Sequence, residues 1–109
     1  MPEINTMNAP LMYLYMTQWS KPFEKLMRAR LAMGAMRYGP IGEGDKSKYD
    51  RPGTILRKAE RYKETGNDEL LVDIANMALL EFVEGQHPKK HFKAADDKGH
   101  QIEERNEQS

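Results

Sequence analysis

The sequence predicts an all-α fold, a bundle of three to four helices completed by dimerisation. Three observations carry this. Residues 54–85 read as two helices joined by a short Thr65-Gly66-Asn67 turn. Residues 20–37 form a third helical stretch with a start signal at one end and a stop signal at the other. Finally, a short chain with an apolar Leu11-Met12-Tyr13-Leu14-Tyr15-Met16 segment and a Met-rich helix face has more apolar surface than three helices cover, which favours self-association.

Residues 9–18 are apolar and rich in Met and Tyr. Asn8 is suited to cap a helix there, with Pro10 in its first turn. The run is too short for periodicity to separate helix from extended strand. Ser20 is the expected N-cap of the next helix, with Pro22 in its first turn. Phe23, Leu26, Met27, Leu31 and Met33 or Gly34 supply its apolar stripe. Arg37-Tyr38-Gly39-Pro40 ends it, because glycine accepts a left-handed conformation and proline cannot continue the helix.

Residues 39–53 form a loop with four glycines and two prolines. Gly39, Gly44 and Lys46-Ser47 come near the spacing of a phosphate-binding P-loop. The match fails because Asp45 separates the second glycine from the lysine and no strand precedes the loop. Lys46, Lys48 and Arg51 remain candidates to meet a phosphate group, against the plainer expectation of solvated surface cations. A loop of this length in so small a domain is often functional.

The helix from Pro52 or Thr54 to Glu64 turns Ile55, Leu56, Ala59 and Tyr62 inward, with Glu60 and Glu64 one turn apart on a flank. The helix from about Asp68 to Glu84 is apolar around most of its circumference, the pattern of a buried helix. Glu69, Asp73 and Asn76 share one face of it. Gly85 stops it. Pro88 interrupts any helix through His87 and His91, and a zinc site from these and His100 lacks cysteines and a paired carboxylate motif. Phe92 is expected to tuck this segment onto the bundle. The domain is therefore placed at residues 1–93, followed by a polar, mobile tail at 94–109.

Composition narrows the function. The 109 residues suit one domain, and 17 basic residues balance 17 acidic ones. No nucleic-acid polymer is expected as a partner on that balance, although a local basic patch is compatible with it. The chain has no cysteine, so no disulfide framework and no thiolate chemistry. No apolar run reaches membrane-span length, and the N-terminus lacks the basic region of a signal peptide. A cytoplasmic location is the expectation. No serine or threonine is placed with a histidine and an acid as a nucleophile would need.

The acids of the central helices then have three readings. Asp73 and Glu69 pair with Lys58, Arg61 or an arginine of the 20–37 helix, with Asn76 bonded to backbone. Alternatively, Glu60, Glu64, Glu69 and Asp73, one turn apart on each of two adjacent helices, hold Mg²⁺ (or Mn²⁺), an ion that takes oxygen ligands and keeps waters for a substrate phosphate. Third, they form a partner-binding face without chemistry.

Arg37-Tyr38-Gly39, Lys58-Ala59-Glu60-Arg61 and the stretch from Glu69 to Asp73-Ile74-Ala75-Asn76 together resemble the MazG-like superfamily of all-α nucleoside triphosphate pyrophosphohydrolases, particularly its small phage-encoded members. The similarity covers roughly residues 20–84. It implies Mg²⁺-dependent hydrolysis of a nucleoside triphosphate to monophosphate and pyrophosphate, with the metal on Glu60, Glu64, Glu69 and Asp73. Within that reading Glu60, Glu69 and Asp73 are catalytic, Lys58 and Arg61 offset phosphate charge, and Asn76 orients a ligand or base. The family signature is Glu-x-x-Glu followed by Glu-x-x-Asp. Here both acid pairs are spaced by four, with Leu70 at the position three before Asp73. The rival expectation is a non-enzymatic phage accessory or protein-binding bundle whose acids are ion-paired.

Overall fold

A computed structural model describes residues 8–94, and the 95–109 part of the polar tail lies outside them. Four helices follow one another: α1 (Ala9–Thr17), α2 (Lys21–Tyr38), α3 (Arg51–Thr65) and α4 (Asp68–Glu84). There is no strand among the described residues, so the fold is all-α. No helix among them is long and apolar enough to cross a membrane.

Each helix begins on a side chain that accepts from an otherwise orphaned backbone N–H. Asn8 accepts from Leu11 (2.8 Å), Ser20 from Phe23 (3.1 Å), Asp50 from Gly53 (3.0 Å) and Asn67 from Glu69 (3.1 Å). Prolines occupy the first turn of α1, α2 and α3, where a missing N–H costs nothing. The ambiguous 9–18 stretch is thus helical. Gly66 closes α3 at φ 67°, and its N–H donates to the Tyr62 carbonyl at 2.8 Å. That left-handed residue lets the chain reverse at once into α4.

The hairpin α3–α4 is the most extensive packing, and α2 also packs on α4. Helix α4 is therefore the central element, but it is not enclosed. Leu70, Val72 and Asn76 are buried on it, whereas Phe82 and Val83 are exposed. The expectation of a buried helix is corrected for a physical reason: two neighbours cover only part of an apolar circumference. Leu56, expected inward on α3, is likewise exposed, as are Leu26 and Met33 of α2. The stripe of α2 that does face α4 is the half-buried set Phe23, Met27, Leu31 and Gly34. Phe92 stays exposed rather than tucking onto the bundle.

The Gly66 turn sets the register of the main packing unit. A Cβ there would meet no neighbouring atom, so its replacement carries only the cost of the left-handed backbone. Gly66→Ala is expected to lower stability by about 1 kcal/mol, with Gly66→Asn closer to wild type, as measured by urea denaturation.

Candidate functional site

Asp73 stands where α2, α3 and α4 meet. Its Oδ1 accepts from Arg30 Nη2 of α2 at 3.3 Å and its Oδ2 from Lys58 Nζ of α3 at 3.3 Å. One turn earlier, Glu69 Oε2 takes the other Arg30 nitrogen, Nη1, at 3.2 Å. The Asp73 side chain is 17% exposed and that of Glu69 56%. A largely desolvated carboxylate needs such partners, because leaving it unpaired costs several kcal/mol. Asn76 is one further turn along. Its Nδ2 donates to the Met27 carbonyl of α2 at 3.1 Å, while its Oδ1 is buried with no partner. The Met27 carbonyl requires a donor and so fixes which end of the amide faces it.

The other predicted site residues do not join this cluster. Glu60, Glu64 and Arg61 are exposed on α3, and none of them lines the cleft described below. Among the described residues no three His, Asp or Glu side chains come close enough to share an ion. As they stand, Glu60, Glu64, Glu69 and Asp73 do not fit a four-carboxylate Mg²⁺ site: the Asp73 oxygens are engaged by two cations, and only Glu69 approaches the same cation.

A second cluster ties the 39–50 loop to the end of α4. Glu84 accepts from the Gly42 N–H at 2.9 Å, from Lys46 Nζ at 3.3 Å and from Arg51, which also reaches Glu81 at 3.7 Å. Lys46 further donates to the carbonyls of Pro40 (2.7 Å) and Gly39 (3.2 Å). Lys46 and Arg51 are thus largely buried structural cations rather than solvated ones. The Gly42 N–H, which a phosphate-cradling loop would present to its ligand, is committed to Glu84. Sequence reasoning missed this clasp, although a signal was present. Helix α4 ends in Glu81 and Glu84 with no basic residue in its last turn, and acids oppose the negative end of the helix dipole unless cations reach them. Lys90 supplies another such cation, donating to the carbonyls of Glu81 and Phe82.

Held in this way, the loop walls an open cleft of about 660 Å³ between α2, α3 and α4. Six cations line it (Arg30, Arg37, Lys46, Lys48, Arg51 and Lys58) against the carboxylates of Asp50, Asp73 and Glu84. Asn76 lies in its wall. Tyr38 and Tyr49 meet edge to face in the lining, with ring centroids 5.8 Å apart. Arg37 lies over the first ring and Lys48 over the second, at 5.8 and 5.4 Å. Neither cation forms a salt bridge among the described residues. Of the residues singled out for function, Lys58, Asp73 and Asn76 are brought to this cleft, as are Lys46, Lys48 and Arg51.

The Gly42 hydrogen bond and, after it, the Lys46 and Arg51 charges hold the Glu84 carboxyl below its ordinary value near 4.5, against burial, which raises it. A depressed folded pKa gives stability that is complete above the unfolded value and lost as the pH falls through the folded one. The loop is therefore expected to stay attached through the ordinary carboxylate range and to detach only in stronger acid, with Glu84→Gln detaching it at neutral pH, both read as faster amide exchange over residues 39–50. At the first cluster, Asp73→Asn is expected to cost about 2 kcal/mol, since its partners are part-exposed, and Glu69→Gln about 0.5 kcal/mol or less. Denaturant melts of the two variants measure the difference.

No family model matches the chain, and no curated protein or solved structure matches it.

Proposed function

We propose that this chain binds a phosphate-bearing small molecule, with a nucleoside triphosphate as the type ligand, in the cleft between α2, α4 and the 39–50 loop. The observation that carries the proposal is the lining: six cations against three carboxylates, with a tyrosine pair, around a volume of about 660 Å³. That volume suits a single small ligand. An excess of positive charge in a partly desolvated cleft attracts an oligophosphate, and aromatic faces take a base by stacking. Among the described residues Arg37 and Lys48 are the lining cations that form no salt bridge, which leaves them to neutralise phosphate oxygens. Asn76 offers an unsatisfied acceptor in the cleft wall, which a donor on a base or sugar would satisfy after a small side-chain shift.

A second reading keeps the activity implied by the MazG-like resemblance, Mg²⁺-dependent release of pyrophosphate from a nucleoside triphosphate. Its support is that Glu69 and Asp73 converge on one guanidinium, where a divalent cation displacing Arg30 would find two carboxylates. The non-enzymatic alternative is supported by the same ion pairs taken as they stand.

Calorimetric titration with a non-hydrolysable nucleoside triphosphate, without and with Mg²⁺, separates these. Binding that weakens steeply with salt, and at least tenfold in Arg37→Glu and in Lys48→Glu, is expected. No heat at millimolar ligand would overturn the proposal. Pyrophosphate release from a panel of deoxynucleoside triphosphates with Mg²⁺ or Mn²⁺, abolished in Asp73→Asn, would establish the second reading. Binding without turnover would leave a binding protein.

A further inference from the structure

The loop between α2 and α3 borders two cavities. Ile41 and Lys48 line the cleft of about 660 Å³. Gly42, Gly44 and Ser47 line a second space of about 620 Å³ beside the end of α4. Lys46, Tyr49, Arg51 and Glu84 belong to the lining of both. A segment placed between two open spaces has little packing to hold it, and segments of that kind open most readily. Ile41 and Tyr49 are exposed. The loop's internal bonds are turns, from Glu43 N–H to the Pro40 carbonyl, from Tyr49 N–H to the Lys46 carbonyl and between Ser47 and Asp45. Among the described residues, the hydrogen bonds that tie 40–49 to a helix all end on Glu84.

Glu84 accepts from Gly42, Lys46 and Arg51, so one carboxylate pins the first half of the loop, its middle and the start of α3 to the end of α4. Lys46 is fully engaged in this. Its three N–H groups go to the carbonyls of Gly39 and Pro40 and to Glu84, which leaves no donor for a ligand. Two residues on, Lys48 lies in the cleft lining and forms no salt bridge among the described residues. It is the cation that the loop can offer to an anion.

We propose that Glu84 is a positioning residue for the cleft: it holds the 39–50 loop closed, and closure sets Lys48 and Tyr49 where the cleft's anionic ligand meets them. The inference rests on the reading of the cleft as a phosphate-binding site. Glu84 acts through Lys48, since a carboxylate repels a phosphate. Binding and closure are then linked in both directions. A filled cleft keeps the loop closed, and a released loop lowers the affinity of the cleft. Arg37 stands outside this linkage because α2 carries it.

A double-mutant cycle reads the linkage. Calorimetry measures the affinity of a non-hydrolysable adenosine triphosphate analogue for the full chain, for Glu84→Gln, Lys48→Ala and Arg37→Ala, and for Glu84→Gln combined with each of the other two. Glu84→Gln should weaken binding about fivefold or more. Lys48→Ala should weaken the wild type but change Glu84→Gln little, whereas Arg37→Ala should weaken both alike. In the wild type the same ligand should slow amide exchange over residues 39–50, a readout that needs no variant to fold. Binding by Glu84→Gln as tight as by the wild type overturns this inference and leaves the binding reading standing. So does a loss in Lys48→Ala that is undiminished in the Glu84→Gln background, or exchange over 39–50 that the ligand leaves unchanged. No binding by the wild type overturns both.

Discussion

The carboxylate of Asp73 is the constraint on which the arrangement depends. Among the described residues it is the one group that contacts charged side chains of both other packed helices, Arg30 from α2 and Lys58 from α3. The apolar contribution to the same junction is small, with Leu70 and Val72 the buried apolar residues among those described. In a core that thin, a part-buried ion pair defines which faces meet. Apolar side chains alone would tolerate several rotations of α2 about its axis, but a guanidinium with one carboxylate on each terminal nitrogen tolerates few. The Asn76 to Met27 hydrogen bond acts in the same direction.

The second clasp, at Glu84, converts an irregular loop into a wall. Without it, the stretch from Gly39 to Asp50 would have little to hold it, since its own bonds are short-range turns. With it, Tyr49 is brought to Tyr38 and Lys48 to the cleft lining. The two clusters divide the cations of the cleft into two kinds. Lys46, Arg51, Arg30 and Lys58 are engaged by carboxylates and shape the cleft, while Arg37 and Lys48 form no salt bridge among the described residues and lie over aromatic rings.

Helix starts and stops were legible in the sequence because they depend on local chemistry. Asn8 and Ser20 start α1 and α2, and Gly39, Gly66 and Gly85 end α2, α3 and α4, each acting within one turn of itself. The face shared by Glu69, Asp73 and Asn76 follows from helical geometry and was legible for the same reason. Facing direction was not. Leu26 and Met27 are neighbours with similar hydropathy, and which of them meets α4 is set by a helix that the periodicity does not orient. Burial of α4 was overread, since apolar composition states what a surface requires and not how many neighbours supply it. The spacing of Glu60 and Glu64 placed them on one face of α3, but spacing does not say whether that face turns toward α4. The Glu84 clasp joins residues about forty positions apart, and only the adverse helix-dipole position of the acid hinted at it.

The most direct test of this account is a double-mutant cycle between α3 and α4, with Lys58→Met, Asp73→Asn and the double variant compared by urea denaturation. If Asp73 is the junction of the fold, the two substitutions are non-additive and the coupling is about 1–2 kcal/mol in favour of the native pair. Additive effects, or stabilisation by Asp73→Asn alone, would mean that the carboxylate is not satisfied by these cations and that the organisation of the cleft rests on something else.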